Sequence, residues 1–254
     1  MPVWTRSNGS RVLTIRPPYK RGECLGYPYG TIPRLLMFWV TTEAVRTKDR
    51  RLYLGESVAE FMRELNLDPG RGGPRSDYRR LQNQMERFFR ATISFEYLEG
   101  DALAGEEGWA DIQIGAKSQI WWDLKNPEQG AIFESWVELN YDFFQSITKS
   151  PVPVDMRALR ALKNSALALD LYVWATYKTY LANEKGASKP VTWRQLHKQF
   201  GADYARLNNF TRKAREALDL VRVVYPGLNI DFVHGGLWIK PGDLSVTSVP
   251  RLVR

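Results

Sequence analysis

Side chains that can form paired hydrogen bonds recur at helical spacing within residues 204–224. They are Arg206, Asn208, Asn209, Arg212, Lys213 and Arg215. Arginine matches the edge of guanine, and asparagine the edge of adenine, in the major groove of DNA. The pattern therefore indicates base recognition on double-stranded DNA. A solvated basic face with no ligand has the same composition, and this helix alone does not separate the two interpretations.

The elements around this segment have the order of a winged helix-turn-helix. An apolar stripe would bury the basic helix against a core; it consists of Leu207, Phe210, Ala214, Ala217, Leu218 and Val221. Thr192 is the expected N-cap of the preceding helix, and Gln195 completes a capping box. We expect Gly201 to end that helix at positive φ and Asp203 to cap the basic helix. A strand hairpin that turns at residues 234–236 follows.

The chain also contains an internal repeat. A shift of 135 positions superimposes Leu36 on Leu171, Trp39 on Trp174, and Ser57 on Thr192. Both copies therefore predict the same apolar spacing and a capping box at the start of the second helix, with both tryptophans in cores. The first copy then has nine extra residues, DPGRGGPRS, after which a shift of 126 superimposes Asp77 on Asp203.

The third helix of the first copy, predicted at residues 77–90, carries a basic surface made of different residues. Its candidate contacts are Arg79, Arg80, Asn83, Arg87 and Arg90. Residues 1–154 contain 20 basic and 20 acidic side chains, whereas residues 155–240 contain 14 basic and 7 acidic ones. In the neutral part we expect phosphate contacts, which position a protein without reading sequence. The net charge of +8 is concentrated around the Arg212 helix, which favours polyanion binding there.

These patterns predict an α+β fold with two tandem winged-helix domains related by internal duplication. Residues 1–150 would form the N-terminal domain, residues 151–241 the DNA-reading domain, and residues 242–254 a loose tail. The segment SPVPVD at residues 150–155 is the expected hinge.

The N-terminal domain has predicted elements beyond one winged helix. Residues 1–27 are expected to form an irregular basic arm with one possible strand at 11–15. Strand character at 92–98, 110–114, 118–122 and 132–139 predicts a sheet larger than one wing requires. We expect its spare edge to pair two chains into a dimer.

Composition argues against several other classes of protein. Cys24 is the only cysteine, so one chain can form neither a disulfide nor a thiolate metal cage. No run of eighteen apolar residues occurs, and the first twelve residues lack the apolar centre of a signal peptide, so we expect a cytosolic protein without membrane contact. His197 and His234 do not have metal-ligand spacing, and GRGGPRS lacks the lysine of a phosphate-binding loop. We therefore expect no enzymatic activity, no metal and no cofactor.

Three stretches resemble the plasmid-encoded RepA-type replication initiators. They are residues 26–67, beginning GYPYGTIPRLL; residues 150–178, beginning SPVPVDMRALR; and residues 200–218, FGADYARLNNFTRKAREAL. The similarity extends from about residue 22 to 241. It implies a bacterial, cytoplasmic protein that binds repeated double-stranded DNA sequences at a plasmid origin and promotes opening of the origin.

The resemblance also implies partners. Monomers would occupy direct repeats, and dimers held through the N-terminal domain would be an inactive or self-repressing form. Host replication initiator and helicase-loading proteins would join the complex. A winged-helix transcriptional repressor remains an alternative from the residues alone; it would bind an isolated inverted repeat rather than tandem repeats.

Overall fold

The computed structural model describes residues 3–8, 11–70, 73, 76–97, 109–120, 122, 135–186, 189–201 and 204–246. The chain folds into two compact units, Met1–Pro151 and Val152–Arg254. The division falls within the proline-containing segment 150–155. Both units combine helices with antiparallel sheet, so the fold is α+β, as predicted.

The first unit begins with strands and ends with a helix. Its elements are β1 Trp4–Asn8, β2 Arg11–Arg16, β3 Tyr19–Lys20, β4 Glu23–Cys24, α1 Thr31–Thr47, β5 Arg51–Tyr53, α2 Val58–Glu64, α3 Asp77–Phe89, β6 Thr92–Tyr97, β7 Trp109–Gln113, β8 Gly115–Gln119, β9 Trp136–Leu139 and α4 Tyr141–Lys149. Asn140 caps α4, because its side chain accepts a hydrogen bond from the Asp142 N–H at 2.9 Å.

Among the described residues, the strands of this unit form separate sheets rather than the single enlarged sheet predicted. One has the order β1-β2-β6-β7, another the order β5-β9-β8, and β3 pairs with β4. The strand predicted at residues 11–15 is confirmed as β2, but the prediction that the remainder of residues 1–27 is irregular is wrong, because β1, β3 and β4 also lie there. Strand β2 is paired along its length with β6, from Arg11 opposite Tyr97 to Arg16 opposite Thr92. This pairing joins segments about eighty residues apart, which local sequence patterns do not reveal.

The second unit is smaller. Its elements are α5 Met156–Leu162, α6 Ala166–Lys185, β10 Val191–Thr192, α7 Trp193–Phe200, α8 Leu207–Val224, β11 Ile230–Val233 and β12 Gly236–Ile239. The described strands form one sheet in the order β10-β12-β11. The hairpin turns at His234 and Gly235, and Gly235 has φ of +73°, where the absence of a side chain relieves strain.

The two units share a sequence of elements. In each, a long helix is followed by a short strand and two helices, and the short strand pairs with the last strand of the unit. The first unit has two further strands, β6 and β7, between its two helices and its last pair of strands. The superimposed residues also match in burial, since Leu36 and Leu171 are both fully buried. Trp39 and Trp174 are 2% and 8% exposed, which confirms the prediction that both belong to cores.

Side-chain caps fix the starts of the second helices. The Thr192 hydroxyl accepts a hydrogen bond from the Gln195 N–H at 3.2 Å, and the Gln195 side chain accepts one from the Thr192 N–H at 2.9 Å. This is the predicted capping box. In the first unit the Ser57 hydroxyl caps α2, but the Glu60 carboxylate accepts from the Glu56 N–H, so the expected reciprocal bond to Ser57 is replaced.

The Thr192 cap leads to a stability prediction. Thr192→Ala removes the acceptor for the Gln195 N–H and should lower the free energy of unfolding of the second unit by about 1 kcal/mol. Thr192→Ser is the matched control, because serine keeps the capping hydroxyl. Chemical denaturation of both variants measures the effect, and equal stabilities of the two would contradict a capping role.

The turn between α7 and α8 differs from the sequence prediction. Gly201 has φ of −86°, so positive φ is not the reason for glycine there. A Cβ at this position would lie 2.2 Å from the Cδ2 of His197, so close packing against that ring requires glycine. Helix α8 begins at Leu207 with Arg206 as N-cap, three residues later than a cap at Asp203 would give. Asp203 itself lies outside the described residues.

The residues just after β12 are anchored rather than loose. Gly242 and the Asn183 side chain exchange two hydrogen bonds, of 2.9 and 3.1 Å. The Tyr225 hydroxyl donates to the Asp243 carbonyl at 2.6 Å, and the Ser245 hydroxyl is hydrogen-bonded to the hydroxyl of Tyr172. The prediction of a loose tail is therefore wrong for residues 242–245, and residues 247–254 lie outside the described residues.

Candidate nucleic-acid interface

Packing of α8 fixes which of its sides is exposed. The buried side chains of the predicted stripe are Phe210, Ala214, Ala217, Leu218 and Val221, with Leu207 half-buried at the helix start. This side packs against α6, α5 and α7. Because the apolar stripe is buried, the opposite side of the helix must face solvent.

The solvent-facing side of α8 carries the predicted base-reading residues. All of them are exposed: Arg206, Asn208, Asn209, Arg212, Lys213 and Arg215. Asn208, Asn209, Arg212 and Lys213 span little more than one helical turn, so their polar groups lie close together along the helix. We call these four residues, with Arg206, the α8 face.

An acidic residue lies directly beside the α8 face. The Glu216 carboxylate accepts a hydrogen bond from Arg212 Nη1 at 2.7 Å and another from Lys213 Nζ at 2.7 Å. The hydrogen bond from Lys213, then that from Arg212, lowers the pKa of the Glu216 carboxyl below its ordinary value. The carboxylate is therefore charged at neutral pH and neutralises part of the positive charge of the α8 face.

Arg215 differs from the other basic residues of the helix. Its guanidinium carbon lies 4.6 Å from the ring centre of Phe232 and 5.1 Å from that of Trp193. The two rings are themselves stacked, with an interplanar angle of 25°. Cation–π contacts of this kind hold Arg215 against α7 and β11, so we leave it out of the α8 face.

In the first unit, α3 keeps some of its predicted basic residues at the surface. Arg79, Arg80, Asn83 and Arg90 are exposed. Two of these cations are paired within the helix: Arg80 with Asp77 at 2.8 Å, and Arg90 with Glu86 at 3.9 Å. Arg79, in the first turn of α3, is also exposed. It forms no ion pair with an acidic side chain among the described residues.

The C-terminal part of α3 is covered by residues 20–29. The Lys20 ammonium is 2.6 Å from Glu86, and the Tyr29 N–H donates to the buried Gln84 side chain at 2.9 Å. Arg87 donates to the Tyr27 carbonyl at 3.2 Å, and its guanidinium lies 5.2 Å from the centre of the Tyr29 ring. Arg87 is therefore half-buried and held within the unit, and less of α3 is free than the sequence predicted.

Two features of these surfaces were not predicted from the sequence. The three- and four-residue spacing of Lys213 and Arg212 from Glu216 is the spacing of helical ion pairs, so it could have been recognised. The covering of α3 by residues 20–29 had no local signal, because the partners lie about sixty residues apart.

Neither metal-binding nor membrane-spanning features occur in the described part of the chain. No group of three or more His, Cys, Asp or Glu side chains there could hold a metal ion. None of the helices described has both the length and the apolar content to cross a bilayer.

Solved structures with a similar fold come from RctB. A crystal structure of RctB domains 2 and 3 matches with a TM-score of 0.52 and 11% identity over 94% of this chain and 88% of that chain. A selenomethionine derivative of the same two domains also has a TM-score of 0.52, with 12% identity over 86% of this chain and 77% of that one. Comparison with curated proteins gave no significant match.

A family model described as plasmid-encoded RepA protein matches residues 27–195. The match begins in the segment that covers α3 and ends at Gln195 in α7, so α8 lies beyond it. Because the matched residues make up more than half of the sequence, this chain belongs to the family of plasmid-encoded RepA replication initiator proteins.

Proposed function

We propose that this protein initiates plasmid replication by binding double-stranded DNA at the origin and that the α8 face reads the bases. The observation that carries the proposal is the exposure of Arg206, Asn208, Asn209, Arg212 and Lys213 on one helix of the more basic unit. Four of these lie on α8 and Arg206 is its N-cap residue. Arginine and asparagine have the hydrogen-bonding groups that distinguish base pairs in the major groove.

We further propose that both units are winged helices produced by duplication. The shared order of helices and strands and the matching sheet orders β5-β9-β8 and β10-β12-β11 support this. In that arrangement α3 and α8 are equivalent helices. They differ in exposure, since residues 20–29 cover part of α3, and this difference favours base reading by the second unit and phosphate contacts by the first.

The remaining parts of the proposal concern partners and localisation. Two unequal DNA-contacting units in one chain suit an asymmetric site, so we propose direct repeats rather than a palindrome. Monomers bound to adjacent repeats would bend the DNA and promote opening, in contact with host replication initiator and helicase proteins in the bacterial cytoplasm. A homodimer in equilibrium with the monomer would form through a sheet edge of the first unit. The protein would act without enzymatic chemistry and without a cofactor.

Selection of bound fragments from random double-stranded DNA tests this function. The expected result is a preferred sequence of asymmetric layout that recurs in tandem at the plasmid origin. An absence of any preferred sequence would overturn base reading. The alternative function, a winged-helix repressor, predicts instead that the selected sequences form one isolated inverted repeat.

The division of labour between units gives a second prediction. Arg79→Ala should weaken binding to selected and unrelated duplexes alike and reduce the dependence of log K on log salt by about one, because one phosphate contact is lost. Lys149→Ala, which removes one exposed positive charge at the end of α4, is the control and should leave the salt dependence unchanged. Titrations at several salt concentrations measure both. A change of base preference in Arg79→Ala would contradict the assignment.

A further inference from the structure

We propose that Glu216 is a specificity-determining residue, an inference that rests on the proposed function. Its carboxylate would keep Arg212 and Lys213 from binding phosphate groups and would orient Arg212 for base reading. The Glu216 carboxylate lies within 2.7 Å of both cations, and it is the acidic side chain in contact with the α8 face among the described residues. The side chains of Arg212, Lys213 and Glu216 are 62%, 45% and 49% exposed, so all three are accessible to DNA.

Competition with phosphate is the first part of the effect. A DNA phosphate must compete with the carboxylate for the N–H donors of either cation, and the negative charge of Glu216 repels the phosphates themselves. Both costs apply to every DNA sequence. They therefore reduce the sequence-independent affinity that positively charged side chains otherwise provide.

Orientation of Arg212 is the second part. A guanidinium has five N–H donors, and the hydrogen bond to Glu216 uses Nη1. The remaining donors can still form a bidentate pair with the O6 and N7 atoms of guanine. Arg212 can therefore keep its bond to Glu216 while reading an uncharged base, whereas the carboxylate repels a phosphate that approaches the same donors. Glu216 consequently lowers affinity for unrelated DNA more than affinity for the matching site.

Glu216→Gln in the full chain tests this inference, with Asp219→Asn as the matched control. Both changes remove one exposed negative charge from α8, but Asp219 makes no ion pair within the described part of the chain. Glutamine has nearly the helix propensity of glutamate, so Glu216→Gln should fold normally. Binding is measured on two duplexes, the selected sequence and an unrelated one of equal length, at several salt concentrations.

For Glu216→Gln we expect affinity for the unrelated duplex to rise about tenfold relative to wild type, because two exposed ion pairs no longer oppose binding. The salt dependence should steepen by about one to two, as one or both cations reach phosphates. Affinity for the selected duplex should change less, so the specificity ratio falls. Asp219→Asn should show a smaller rise and no steepening. When Arg212→Ala and Lys213→Ala are both present, adding Glu216→Gln should raise affinity for the unrelated duplex no more than Asp219→Asn does.

Two results would overturn the inference. Equal behaviour of Glu216→Gln and Asp219→Asn on the unrelated duplex would show that the ion pairs do not restrain the cations. Loss of selected-duplex binding in Glu216→Gln, with unrelated binding unchanged, would mean that Glu216 contacts a base itself. Failure of the proposed function would give a different result, because the wild-type protein would then bind both duplexes equally. That result would also overturn the inference about Glu216.

Discussion

Leu218→Ala is expected to lower the free energy of unfolding of the second unit by about 2 to 5 kcal/mol, the usual cost of truncating a buried leucine. Leu218 is fully buried on the inner side of α8, which packs on α6. Truncation removes apolar contacts and leaves a cavity that the surrounding helices can fill only in part. Since a small unit has little stability to spare, DNA binding should fall as the unfolded fraction rises.

The same helix provides a matched control for this prediction. Leu220 lies two positions further along α8 and is 51% exposed. Leu220→Ala makes the same chemical change on the solvent side, and its effect should stay within about 0.5 kcal/mol. Denaturant titration with a probe in the second unit measures both variants. Similar losses for the two would mean that α8 is oriented incorrectly.

Arg212→Ala is expected to weaken binding to the selected duplex by about 1 to 3 kcal/mol and to relax the preference at one base pair. Arg212 is exposed on the α8 face, one turn beyond Asn208 and Asn209, and its unused donors can pair with guanine. Its removal also leaves Glu216 with Lys213 alone, so part of the loss should affect every sequence. The relaxed base preference is therefore the result that identifies base reading.

Arg222→Ala controls for the loss of charge. Arg222 is exposed in the last turn of α8, away from the α8 face. This variant should keep the full base preference of the wild type. Repeating the fragment selection with both variants makes the comparison. An unchanged preference in Arg212→Ala would show that base reading lies elsewhere, whatever the change in affinity.

Features that depend on neighbouring residues could be predicted from the sequence. The apolar stripe of α8 is defined by residues three and four positions apart, and its buried positions agree with the prediction from Phe210 to Val221. The caps at Ser57, Asn140 and Thr192 involve backbone groups two or three residues away. The excess positive charge of residues 155–240 is likewise a property of composition alone.

Contacts between distant segments could not be predicted in this way. The pairing of β2 with β6 has no signal in the residues around β2, and the strands after α3 divide between two sheets. Residues 242–245 looked like a tail because their partners, Tyr172, Asn183 and Tyr225, lie on α6 and at the end of α8. In each case the stabilising hydrogen bonds join residues that are distant in sequence, so no local pattern indicates them.

The surfaces proposed to meet DNA show the same division. The sequence by itself determined on which side of α3 and α8 the basic and asparagine side chains lie, because helical spacing assigns each side chain to a side of its helix. Only the tertiary structure decided which of them are free. Arg87 is held by Tyr27 and Tyr29, and Arg215 by Trp193 and Phe232, because aromatic and carbonyl groups from other segments pack against their guanidinium groups.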